Sequence, residues 1–236
     1  MTKENVSCYA QRICLGLSLM LLLVLSACSG ISVGGSSGVT PPTIAPTAPS
    51  LNVNLITNGN AEAGPGTDNA ATIEPIPGWT RQGAIDVVQY APSNGGYIAL
   101  TDPGPSDRGK NYFSGGLNNA LSSMTQTVDI SAASPLLSQG NIQFTLSAWL
   151  GGFLNQDDNA KLTIQFVSAN GQVLSTASVG PLLAAERHNL NGLVQSSTTG
   201  KVPAGAAKVV VTLTMTREAG GYNDGSADDL SLVFHL

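Results

Sequence analysis

Three segments of the chain alternate apolar and polar side chains at period two. Ile142 to Leu150 puts Ile142, Phe144, Leu146, Ala148 and Leu150 on one face and Thr145, Ser147 and Trp149 on the other. Leu162, Ile164 and Phe166 oppose Thr163 and Gln165, and Val211, Leu213 and Met215 oppose Thr212, Thr214 and Thr216. Period two with β-branched enrichment predicts half-buried strands. Shorter candidates are 54–57, 85–90, 97–101, 124–130, 173–178 and 230–236, and residues 134–137 suit one helical turn. Asn58-Gly59, Asn94-Gly95-Gly96, Asn170-Gly171 and Asn223-Asp224-Gly225 supply turn chemistry between them. Eight or nine such strands predict an all-β antiparallel sandwich, a jelly roll. If the three long strands share one sheet, its outward surface is threonine-rich with Trp149 as its large aromatic.

The N-terminus follows a different pattern. Ile13 to Ala27 is dominated by leucine, and as a helix it would reach roughly 22 Å against a hydrocarbon core of ~30 Å. That predicts the apolar region of a signal peptide over residues 1–27 rather than a membrane span. Its end, Leu25-Ser26-Ala27-Cys28, resembles the lipobox of bacterial lipoproteins. The resemblance implies that Cys28 is acylated and becomes the first residue of the mature chain. Cys8 and Cys14 leave with the signal, so the exported part holds no disulfide. Two or three acyl chains suffice for stable attachment to a lipid bilayer. Ser29, in place of the aspartate that marks inner-membrane retention, points to the outer membrane in a two-membrane cell.

Residues 29–50 carry Gly34-Gly35, Pro41-Pro42, Pro46 and Pro49 and no charge. Nothing there can build a core, so residues 28–50 read as a tether, roughly 25 Å across as flexible coil. The folded domain is then 51–236. Its composition excludes one large class of partner. Across the whole chain Lys and Arg total 10 against 15 Asp and Glu, a net charge of −5, so no basic stripe exists for nucleic acid.

Three motifs in the domain resemble galactose-binding-like, carbohydrate-binding-module jelly rolls. They are Asn54-Leu55-Ile56-Thr57-Asn58-Gly59-Asn60-Ala61-Glu62 at the opening strand, Ile76-Pro77-Gly78-Trp79 at the turn after it, and Ala227-Asp228-Asp229-Leu230-Ser231-Leu232 at the closing strand. Ala61 departs from the aromatic usual in that place. The resemblance implies a glycan ligand, and a structural calcium held by one acidic residue from each end of the domain: Glu62 and Asp228, with Asp229 as a further ligand.

Asp228 also shares parity with Leu230, Leu232 and Phe234, so a regular strand would point it inward. An uncompensated carboxylate there costs several kcal/mol. Calcium, a bidentate pair with Arg217, and a solvated strand end are the three ways to satisfy it. Trp149 can stack on a sugar ring, with Thr145 and Gln165 among the neighbours donating hydrogen bonds, or it can lie under a crossing loop. Tyr222, in a glycine-rich loop, is placed to flank a site at one end of the sandwich. Trp79 reads as a plug at the core's rim, and Asp157-Asp158-Asn159 as a solvated turn.

Catalysis has little to work with. The histidines are His188 and the penultimate His235, and the spacing of Glu62, Glu74, Glu186 and Glu218 singles out no acid pair. The expectation is therefore a monomeric, non-catalytic lipoprotein displaying a calcium-associated, glycan-binding module. The alternative is a surface adhesion domain with a protein partner.

Overall fold

The computed structural model describes residues 50–69, 72–91 and 97–236. The expected signal peptide, Cys28 and all of the tether but Ser50 lie outside them. Ten strands follow one another: β1 (Thr80–Gln82), β2 (Asp86–Gln89), β3 (Asn111–Leu117), β4 (Leu121–Asp129), β5 (Gln143–Gly152), β6 (Asn159–Ser168), β7 (Val173–Val179), β8 (Gly192–Lys201), β9 (Ala206–Thr216) and β10 (Tyr222–His235). A short helix, α1 (Ser134–Leu137), stands where one helical turn was expected. The strands form two five-stranded sheets, β1-β4-β9-β6-β7 (sheet I) and β2-β3-β10-β5-β8 (sheet II), and every strand pair is antiparallel.

The two sheets stack on the faces that alternation predicted to be apolar. Phe144, Leu146, Ala148 and Leu150 of β5 meet Leu162, Ile164 and Phe166 of β6 and Val211, Leu213 and Met215 of β9 in one buried cluster. Phe166 sits between Phe144 and Phe234, with ring centroids 5.2 and 6.3 Å apart. Burying each such side chain contributes about 1.5–3 kcal/mol, which makes this layer the main source of stability in a domain without disulfides.

The long strands do not share one sheet. β5 belongs to sheet II, whereas β6 and β9 belong to sheet I. The period-two pattern assigns faces within a strand but carries no information on which strands pair. Two expected strands are also absent: 97–101 is loop, and 54–57 makes only an isolated bridge, Asn54 to Val233. The opening segment still lies along the last strand. Asn52 N–H donates to Phe234 O, Leu55 N–H donates to Leu232 O, and the Asn54 side chain joins the Leu230 carbonyl to the Leu232 N–H. Asparagine's side-chain amide here does what a ladder of backbone bonds does elsewhere.

β10 lies between β3, which it pairs from Tyr222 to Ala227, and β5, which it pairs from Ser226 to His235. Its register shifts between Asp228 and Ser231, where Asp229 takes φ +46°. This bulge decides where Asp228 goes. Ala227 and Leu230 both face the core, and Asp228 is opposite Trp149 on the outer side of the sheet.

Candidate functional site

Sheet II carries a second, smaller apolar cluster on its outer face. Val88, Tyr90, Ile98, Tyr112 and Leu193 are buried there, with Tyr97 and Trp149 partly buried against them. Trp149 is thus half-covered by the segment that follows β2, the covered reading of the two that the sequence left open. Thr145 lies on the same face, four residues back along β5. Gln165 does not. It belongs to β6 in sheet I, on the far side of the sandwich, so Trp149, Thr145 and Gln165 do not form one ligand surface.

Asp228 is fully buried, as expected, but under this cluster rather than between the sheets. Tyr90 donates its hydroxyl to Asp228 Oδ2 at 2.7 Å, and the Asp229 N–H donates to Oδ1 at 2.8 Å. Burial pushes the Asp228 carboxyl up to about 8, and the charges of Asp229 and Glu62 push the same way. The expected alternative, a pair with Arg217, is not formed. Arg217 donates to the Gly221 carbonyl at 3.1 Å.

Glu62 is brought to the same region from the other end of the domain. Its Oε1 accepts from the Lys110 and Asn111 N–H groups at 2.8 and 2.7 Å, which ties the opening segment to the start of β3. Ala61, where an aromatic was usual, is fully buried with φ +60°, and its carbonyl accepts from Asn111 Nδ2. Burial raises the Asp229 carboxyl, with Asp107 and Glu62 adding like charge. The arrangement suits a hard cation in its charge. Among the described residues no three His, Cys, Asp or Glu side chains gather as a metal cluster. Backbone carbonyls would have to complete a calcium shell here, as that ion accepts.

Tyr222 opens β10 on the outer side of sheet II. Its hydroxyl is 3.0 Å from Ser114 Oγ, and its ring meets Tyr97 edge-on at 5.9 Å. The loop that positions it hangs from Asp158, which is fully buried and not the solvated turn expected. Asp158 accepts from the Glu218, Ala219 and Asp224 N–H groups at 2.7, 2.9 and 2.9 Å. Trp79 is the rim plug expected, edge-on to Phe113 at 6.3 Å with its Nε1 donating to the Asn58 carbonyl.

The outer face of sheet I is a field of hydroxyls. Thr80, Thr125, Thr212, Thr163 and Ser178 stand in register across all five strands. Adjacent strands put such side chains about 5 Å apart. Thr127 and Gln165 flank that row on one side, Ser123 and Thr214 on the other. Beside β4 the face deepens into a cleft of about 560 Å³ lined by Thr57, Gly78, Thr80, Thr125, Gln126 and Thr127. Gln126 holds its wall, accepting from the Thr57 N–H and donating to the Thr57 carbonyl, both at 3.0 Å. Gly78, at φ +85°, turns the chain past Thr57, where an added Cβ would press on Thr57 Cγ2 at 3.1 Å. No charged side chain lines this cleft, and Leu121 at the head of β4 is 60% exposed. The T-x-T alternation of residues 125–127 was visible in the sequence, but the cross-strand row was not.

No family model matches the chain, and no curated protein matches it. Among solved structures it is similar to a family 16 carbohydrate-binding module, at 17% identity and TM-score 0.46, covering 76% of this chain and 99% of that one. It is also similar to the CBM22-1 xylan-binding domain from Paenibacillus barcinonensis, at 13% identity and TM-score 0.37, covering 66% of this chain and 85% of that one. A third neighbour is the enzymatically active domain of a bacteriophage CBA120 tailspike protein, at 16% identity and TM-score 0.45. The match takes in 78% of this chain but only 21% of the tailspike chain. The class defined here is an all-β sandwich of two five-stranded antiparallel sheets, a jelly roll like those of the carbohydrate-binding modules, and it stands on the strand pairing itself.

Proposed function

We propose that this chain is a non-catalytic glycan-binding module. It holds a neutral polysaccharide along the hydroxyl cleft of sheet I. The observation that carries this reading is the in-register row from Thr80 to Ser178 running out of a 560 Å³ uncharged cleft. Each hydroxyl both donates and accepts, which matches the alternating demands of a polyol, and the volume lies in the range that ligand sites occupy. Leu121, exposed at the head of β4 on the same face, supplies apolar surface for the C–H face of a ring.

In this reading Cys28 is acylated and tethers the module outside the cytoplasmic membrane, with residues 29–50 as spacer. Cys28→Ser then releases the protein from the membrane fraction or blocks its processing; unchanged retention contradicts the anchor. Calcium is proposed as a structural ion, held by Glu62, Asp228 and Asp229 with backbone carbonyls. It would supply countercharge to Asp228 and Asp229, whose carboxyls burial and neighbouring like charge push up.

Affinity electrophoresis tests the glycan reading. Wild type should be retarded by a soluble neutral polysaccharide, xylan being the first to try. The Thr125→Val/Thr212→Val double variant, which keeps side-chain shape, should bind at least tenfold more weakly. The absence of retardation on any neutral polysaccharide overturns it.

A further inference from the structure

The outer face of sheet I is neutral along the row of hydroxyls, but not throughout. β4, β6, β7 and β9 bring three charged side chains to that face: Asp129, Lys161 and Lys208. Asp129 and Lys208 stand directly opposite each other in β4 and β9, and both line a cavity of about 330 Å³ with Thr127 and Ser168. Their charges cancel there, and the Asp129 carboxylate also accepts from the Ser131 N–H at 2.8 Å.

Lys161 has no such counterpart. It is exposed on β6, opposite Thr214 and in line with Ser123 of β4 and Gln82 of β1. Asn159 and Thr163 flank it on its own strand, and Thr212 and Thr216 lie diagonally across on β9. On the β7 side the chain runs through Gly180, which brings no side chain. All of these neighbours are neutral, and no described carboxylate pairs with the Lys161 ammonium. Elsewhere cations are tied down: Arg81, Arg108, Arg187 and Arg217 all donate to backbone carbonyls.

Lys161 also lies two residues from Thr163, so its Cα is about 7 Å to one side of the row from Thr80 to Ser178. The other side of the row offers Thr127, Val210, Gln165 and Thr176, none of them charged. A polysaccharide lying along the row thus meets one uncompensated positive charge, on one side. An ammonium that only donates suits a carboxylate, which only accepts.

We propose that the bound polysaccharide carries carboxylate side groups, uronic acid branches on an otherwise neutral chain, and that Lys161 receives them. This rests on the glycan reading of the same face and adds the side group to it. The branches are sparse, because a continuous polyanion would be repelled by a chain of net charge −5. Over a Debye length of about 8 Å Lys161 acts on a branch beside it, while distant acids are screened.

Isothermal titration calorimetry tests it with two probes. One is a xylo-oligosaccharide bearing a glucuronic acid branch, and the other is the same compound with that carboxyl reduced to the alcohol. Wild type should bind the acid about threefold more tightly at low salt, a preference that shrinks as salt rises. Lys161→Gln should bind both probes equally, with affinity for the reduced compound unchanged. Lys208→Gln, which removes a charge already met by Asp129, should keep the preference. Equal affinity for the two probes in wild type overturns the proposal and leaves the glycan reading standing. So does a preference that survives in Lys161→Gln or is lost in Lys208→Gln. Binding of neither probe also overturns it, and electrophoresis on other neutral polysaccharides then shows whether the glycan reading falls too.

Discussion

Tyr90 and Asp228 stand 138 residues apart in the chain and meet at 2.7 Å in a buried hydrogen bond, Tyr90 donating. The bond pins the segment after β2 to the centre of β10, over the outer face of sheet II. It also supplies one of the two donors to a fully buried carboxylate. A buried acceptor stripped of its partner costs about 1–3 kcal/mol. Tyr90→Phe should therefore lower the unfolding free energy by about 2 kcal/mol in urea at neutral pH. A change below about 0.3 kcal/mol would show that the pair does not hold the cover in place.

Asp86 gives a pH dependence. Burial raises its carboxyl to about 6, against the lowering effect of the Glu74 N–H that it accepts. The folded state thus binds the proton more tightly than the unfolded chain does. Stability contributed by this group is complete below about pH 4 and is lost as pH rises through about 6. Two pKa units correspond to a ceiling near 3 kcal/mol, and screening by solvent reduces it to about 1–2 kcal/mol. Asp86→Asn keeps an oxygen for the Glu74 N–H and removes the titration. The variant should gain on wild type by that amount between pH 4 and pH 7. A constant difference across that range contradicts the assignment.

Removing Asp158 tests the loop that carries Tyr222 and Asp224. Its carboxylate satisfies three backbone N–H groups, so Asp158→Ala leaves three donors without partners. A loss of about 3 kcal/mol is expected, with amide exchange accelerated at 218–224 before the core strands open. Exchange that rises uniformly instead would mean that this loop is no weaker than the sandwich.

The proposed ion has its own measurement. Chelator should lower the melting temperature of the protein and calcium should restore it, and Glu62→Gln should abolish the response. A melting temperature indifferent to both chelator and calcium contradicts a structural ion at Glu62, Asp228 and Asp229.

What could be read in advance followed from period and parity. Phe144, Leu146, Leu162, Ile164, Leu213 and Met215 fell on the buried faces because alternation is a property of one strand. β3 escaped notice because Asn111 to Gly116 is buried on both sides, which leaves no alternation to see. β8 escaped because from Gln195 to Thr199 polar residues fall on both parities, which leaves no alternation to see. The parity argument placed Asp228 in the core, and the bulge at Asp229 turned it to the other face. A left-handed aspartate immediately before a core leucine is invisible to counting by twos. The same limit divided the ligand residues. Gln165 and Trp149 have outward parity in their own strands, but partner choice sent those strands to different sheets.

The central claim is that the hydroxyl face of sheet I with its uncharged cleft, and not the face under Trp149, receives the glycan. Titrating isotope-labelled protein with a neutral oligosaccharide, xylohexaose first, tests it most directly. The account predicts saturable amide shifts at Thr80, Thr125, Gln126 and Thr127, with affinity unchanged by Trp149→Ala. Shifts confined to Trp149 and Tyr222, with binding lost in Trp149→Ala, would contradict it.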